Sequence, residues 1–237
     1  PKEVKYSNFC SCSPGNRGTC FFKVQKINSI MATVYHYPVW VRIWHGINAL
    51  LFLVLIVTGI SMHYANQQFN LIGFNTAVSL HNVSGIILSA NYIIFLVYNR
   101  FTTNGNHYRI TTSGLLSANI RQFNYYVKGI FKGQKPPYPV DQSRKFNPLQ
   151  TMSYVIVMYF LMFLIIISGW ALIFPEVVFV KQLFGTSGIH LTAVLHFVVG
   201  YLLSIFLVVH VYLCIIPKPF GSSFRAMLTG WHTSEHG

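Results

Sequence analysis

Acidic residues are nearly absent. The 237-residue chain carries 4 Asp and Glu against 17 Lys and Arg, and charged residues make up only 9% of it. So little charge cannot hold 53% hydrophobic residues in water, and the composition is that of an integral membrane protein. A net charge of +13 would suit nucleic acid in a soluble chain. Here the cations follow membrane topology instead, and no nucleic-acid partner is expected. Cysteine is also scarce, with four in all and no disulfide framework among them. Solenoid repeats and low-complexity tracts are missing. Residues 1–36 are polar and basic and lack an apolar signal core, so neither cleavage nor secretion of this segment is expected.

What is present is four long uncharged or nearly uncharged runs, at about 40–62, 76–98, 152–174 and 190–216. Each is long enough to cross a bilayer, because about 20 apolar residues at about 1.5 Å rise cover the hydrocarbon core. The fold expected is an all-α integral membrane protein, a four-transmembrane-helix bundle occupying residues 37–237. Between spans two and three lies a long hydrophilic stretch. Its RQFNYYVKGIFKG segment interleaves aromatic and basic residues as a surface-lying amphipathic helix does, and KPPYP follows as an extended connector. Of the 17 Lys and Arg, only Lys181 falls on the side reached by the loops after spans one and three. That asymmetry predicts that both termini and the central loop are cytoplasmic.

Residues 1–36 form a separate segment containing Cys10, Cys12 and Cys20. A metal site there would need a fourth ligand, such as His36 or a group from another subunit, and the spacing fits no common zinc pattern. Three reduced thiols in a flexible Gly/Ser/Pro segment is the simpler expectation.

The histidines carry the chemistry. In span four, His196 and His210 are fourteen residues apart, which puts both on nearly one face and about 21 Å apart along the axis. His45 begins span one and His81 begins span two. Topology then sorts the four by depth. His45 and His210 share the cytoplasmic leaflet, and His81 and His196 share the outer one. Imidazole is costly in lipid without a partner. Two pairs, each drawn from two helices, suit the axial ligation of two b haems inside a helix bundle. Bis-histidine ligation closes the iron to oxygen and suits electron transfer. Glycines follow the same pattern. Gly85 and Gly200 each lie four residues past an outer histidine, and Gly59 reaches the outer depth in span one. All three make room for a flat macrocycle, although close helix packing uses glycine too. Arg42, one turn before His45, is placed either for a haem propionate or for a lipid headgroup.

The chain resembles the diheme cytochrome b subunits of membrane-bound nickel–iron hydrogenases, formate dehydrogenases and thiosulfate reductases, a superfamily that includes free-standing bacterial diheme cytochromes b. The resemblance rests on RIWHGINALLFLVLIVTG at 42–59, LHNVSG at 80–85, KFNPLQTMSY at 145–154, and His196 with His210. It covers about residues 36–230. It implies the same ligand pairs, His45 with His210 and His81 with His196, and a third span with no ligand. It also implies electron exchange with a quinone pool and with a redox partner subunit, which would be a hydrogenase, a dehydrogenase, a sulfur-compound reductase or a c-type cytochrome. In such proteins quinone often sits near the cytoplasmic haem, beside the loop after span two. Here Asn104, Asn106, His107, Tyr108 and Arg109 in that loop offer donors to quinone carbonyls and a titratable group. The Cys10, Cys12, Cys20 segment has no counterpart in the resemblance. Two other accounts compete: a stand-alone cytochrome b reacting with a small diffusible species, and a haem-free anchor or proton relay built on the histidines.

Overall fold

The computed structural model describes residues 5–12, 20–27, 31–35, 37–65, 71–108, 114–138, 146–177, 182–183, 185–215 and 221–235. Four helices in it are long and apolar enough to cross a membrane: Val39–His63, Phe74–Phe101, Pro148–Ile173 and Gly188–Ile215. These are spans one to four. Each expected span is found, with ends moved by at most four residues. The largest shift is at span three, where a capping box starts the helix early. Asn147 accepts from the Gln150 backbone N–H at 2.9 Å, the Gln150 side chain accepts from the Asn147 N–H at 3.1 Å, and Pro148 occupies the first turn.

Spans one and two form one antiparallel hairpin, and spans three and four form the other. Leu51, Leu88, Tyr92, Phe95, Val157, Met162, Val199 and Leu203 are buried together and join the four spans. Side chains such as Leu50, Ile94, Phe163 and Val208 face outward. In water that surface would be a liability, whereas against acyl chains it costs nothing. Hydrogen bonds from aromatic side chains lock the core. Trp44 Nε1 donates to the Asn91 carbonyl at 3.0 Å, and Trp170 Nε1 donates to Ser89 Oγ at 3.0 Å. Span three widens into a π-helical turn at Ile156–Leu161, and there the Met158 carbonyl accepts the Tyr92 hydroxyl at 2.7 Å.

After span two a 3₁₀ turn, Thr103–Tyr108, folds back onto the helix end. Gly105 lies so close to the Asn99 carbonyl that a Cβ would not fit. The expected amphipathic segment is a helix over Leu115–Asn124 that continues as a π turn over Tyr125–Gly129. Asn119 and Gln122 on its inner face are buried, while Leu116, Ile120, Phe123, Val127 and Phe131 form an exposed apolar stripe.

Strands appear within residues 1–36, where a flexible segment was expected, and also near the end of the chain and before span four. β1 (Lys5–Cys12) pairs antiparallel with β2 (Cys20–Ile27), bringing the backbones of Cys12 and Cys20 opposite each other. β3 (Met31–Tyr35) pairs with β6 (Trp231–Glu235), with His232 opposite Val34. β4 (Gln182–Leu183) and β5 (Thr186–Ser187) form a small hairpin before span four. The side chains of Cys10, Cys12 and Cys20 lie outside the described residues, as does any metal they would hold.

Candidate haem sites

The four intramembrane histidines meet in two pairs. His45 of span one faces His210 of span four with 6.2 Å between ring centres and 50° between planes. His81 of span two faces His196 of span four, also at 6.2 Å, with planes at 68°. Span four therefore gives one imidazole to each pair. Among the described residues no three His, Cys, Asp or Glu side chains cluster as a metal cage would require. The imidazoles meet two by two.

The spacing itself is informative. A metal–imidazole bond of about 2 Å on each side, plus about 1.1 Å from each nitrogen to its ring centre, sums to about 6 Å between centres. At the observed 6.2 Å each pair of imidazoles would be able to hold one iron between them, and haem would supply its remaining donors. The residues present thus fit haem.

Glycines frame the pair remote from the basic side. Gly59 faces His81, and a Cβ there would lie 3.6 Å from Cε1 of the ring. Gly85 faces open space, and at Gly200 the nearest atom to a Cβ would be Ile165 Cδ1 at 3.8 Å. Three residues that the sequence did not single out complete this site. Thr58 Oγ1 lies 2.9 Å from His81 Nδ1, and Ser168 Oγ lies 2.9 Å from His196 Nδ1. Both hydroxyl residues are almost wholly buried. Gly169 stands against His196, where a Cβ would come within 3.2 Å of Cε1. The signal in the sequence was a hydroxyl residue followed by glycine, Thr58-Gly59 and Ser168-Gly169, near one end of each hairpin's first helix.

The other pair is set differently. Cys214 Sγ stands 3.9 Å from His210 Nε2. Phe206 stacks on His210 at 5.8 Å, and Tyr154 meets it edge-on at 6.1 Å. Arg42 Nη1 donates to the Leu228 carbonyl at 2.6 Å. Its Nε is buried without a partner among the described residues, and so is Trp40 Nε1. A buried cationic donor left unpaired is costly, so Arg42 Nε calls for an acceptor.

The loop after span two is partly described. Tyr108 is half-buried and packs edge-on against Phe95 at 5.6 Å and Tyr159 at 6.1 Å. Burial pushes its phenol well above the usual tyrosine range, the Tyr159 phenol adding to the effect. Asn104 Nδ2 donates to Asn99 Oδ1 at 2.7 Å. Asn106 lines an open cleft of about 500 Å³ with Leu96, Asn99, Arg100 and Tyr159. Arg109 and the His107 side chain lie outside the described residues.

A four-helix membrane bundle that pairs imidazoles at metal-bridging distance belongs to the class of membrane b-type cytochromes. A family model for prokaryotic cytochrome b561 matches residues 36–230, and the chain belongs to that family. It is also similar to the candidate cytochrome YdhU of Escherichia coli (strain K12), with 34% identity over 199 residues, 84% of this chain and 74% of that protein. Membership makes this a multi-pass membrane cytochrome that binds haem b and transfers electrons.

Proposed function

We propose that the chain is a diheme, quinone-reactive membrane subunit that passes electrons between the quinone pool and a redox partner subunit of a respiratory complex. The observation that carries this is the equal 6.2 Å ring spacing of two imidazole pairs drawn from different depths of one bundle. His45 with His210 would hold one haem b and His81 with His196 the other. Bound haem supplies a one-electron couple closed to exogenous ligands. The distribution of the basic residues supports an orientation with the His45–His210 pair on the cytoplasmic side of the bacterial inner membrane. Gly59, Gly85 and Gly200 leave space beside the outer pair, and Arg42 Nε is the donor for a propionate of the inner haem.

A chain of aromatic contacts supports a quinone site at the loop after span two. It runs from Tyr108 to Phe146 at 6.0 Å, to Tyr154 at 5.0 Å, and to His210 at 6.1 Å. Asn104, Asn106 and Tyr108 would hydrogen-bond quinone carbonyls there, with His107 and Arg109 contributing from the same loop. Reaction with the far substrate belongs to the partner. Two measurements test this. Replacing His107 by Ala should slow quinol turnover with both haem spectra intact, and unchanged turnover removes His107 from the site. Purification of the native complex should bring a redox subunit with this chain. A lone, quinone-inert diheme protein would favour the stand-alone cytochrome instead.

A further inference from the structure

The two hairpins repeat a pattern. LHNVSGIILS at 80–89 and LHFVVGYLLS at 195–204 share six of ten residues, among them the histidine, the glycine four further on and the serine after that. The serines make the same bond. Ser89 Oγ donates to the Gly85 carbonyl and Ser204 Oγ to the Gly200 carbonyl, both at 2.8 Å. The preceding helix of each hairpin carries the matching Thr58-Gly59 or Ser168-Gly169. Both histidine-bearing helices run in the same direction, so the outer pair forms where the two repeats meet. His45 and His210 occupy unlike positions in the two hairpins and stand outside this symmetry.

At the symmetric site each hydroxyl has a backbone carbonyl within reach of its proton. A hydroxyl has one proton to give. Thr58 Oγ1 directs its proton at the Val54 carbonyl, 2.7 Å away, and Ser168 Oγ directs its own at the Leu164 carbonyl, 2.7 Å away. With its proton directed there, each oxygen would face its histidine as an acceptor, the proton between them would sit on Nδ1, and Nε2 of both His81 and His196 would be bare.

We propose that Thr58 and Ser168 are the positioning residues of the outer haem site. Each hydroxyl accepts the Nδ1 proton of the facing histidine, holds the ring with Nε2 free as a ligand, and lowers the reduction potential of the haem bound there. This rests on the ligand assignment proposed above. An imidazole that donates from Nδ1 is a more basic ligand and favours the ferric state. Thr58 and Ser168 both face the His81–His196 pair, so their effect belongs to one haem only.

The test is potentiometric titration of the purified protein, followed by the visible haem bands, for wild type, Thr58→Val, Ser168→Ala and Thr58→Ser. With both haems bound, Thr58→Val and Ser168→Ala should each move one and the same midpoint to more positive potential and leave the other in place. Thr58→Ser should keep the wild-type midpoints. Unmoved midpoints in both hydroxyl-free variants overturn the proposal, as does a shift in Thr58→Ser equal to that in Thr58→Val. If a hydroxyl-free variant instead loses one haem, Thr58→Ser decides. Retention there supports the hydroxyl, and loss there shows that side-chain shape alone was needed. His81→Ala is measured in parallel. Loss of one haem in that variant upholds the ligand assignment, so that a failure of the hydroxyl variants overturns this proposal alone. Two haems retained in His81→Ala overturn the assignment itself.

Discussion

At the scale of single residues, the space around each imidazole is controlled by what the facing helix omits. A methyl group at Gly169 would press His196 Cε1 at 3.2 Å, whereas one at Gly200 would meet only Ile165 Cδ1 at 3.8 Å. Gly169→Ala should therefore displace the ring and change the low-spin spectrum of one haem. In the polypeptide alone Gly200→Ala is an ordinary fit. Lowered haem occupancy in that variant, measured against unchanged expression, would place the macrocycle beside Gly200. Full occupancy would assign the glycine to helix packing. The histidines were legible in the sequence because a polar ring in lipid demands a partner. Thr58, Ser168 and Gly169 were not. Small and hydroxyl residues are frequent in membrane helices for packing reasons, and only the neighbouring helix shows which of them touches a histidine. Span three looked inert for want of a histidine, yet it supplies Ser168 and Gly169 to the outer pair.

At the scale of elements, span three is held at its start by Asn147. This buried side chain caps the helix and also donates Nδ2 to the Tyr126 hydroxyl at 2.8 Å. Asn147→Ala loses both and should destabilise the protein by about 1–2 kcal/mol, read as a lower thermal midpoint in detergent. Asn147→Asp keeps the cap acceptor and should recover part of the loss. The amphipathic helix was legible from its interleaved aromatic and basic residues. Its stripe of Leu116, Ile120, Phe123, Val127 and Phe131, with Phe131 71% exposed, has the geometry of a helix lying in the membrane surface. A spin label at position 123 in proteoliposomes should be more accessible to oxygen than to a polar nickel chelate, and one at Asn124 should show the reverse order. Equal accessibility at both positions would lift the helix off the bilayer. The β3–β6 pairing was not legible. Its two strands are short and lie on either side of the whole membrane domain, and no local pattern joins partners so distant in sequence.

At the scale of the whole molecule, two hairpins build two unlike sites. One lies where equivalent parts of the repeats meet and is supported by hydroxyls. The other joins unlike positions near the basic face, among Phe206, Tyr154 and an Arg42 Nε with no partner among the described residues. Bundle, span order and histidine depth followed from composition and charge, since the bilayer permits few alternatives. A topology reporter inserted within residues 66–70 should read the opposite side from one inserted within 139–145, in keeping with the basic asymmetry. The central claim is that each imidazole pair holds one haem b. It is tested most directly by haem b stoichiometry of the purified chain, by pyridine haemochrome, for wild type and the single variants His45→Ala, His81→Ala, His196→Ala and His210→Ala. The account predicts two haems per chain in wild type and one in each variant, with the same haem missing from His45→Ala and His210→Ala and the other from His81→Ala and His196→Ala. A wild-type chain with a single haem, or losses that pair the histidines differently, would contradict it.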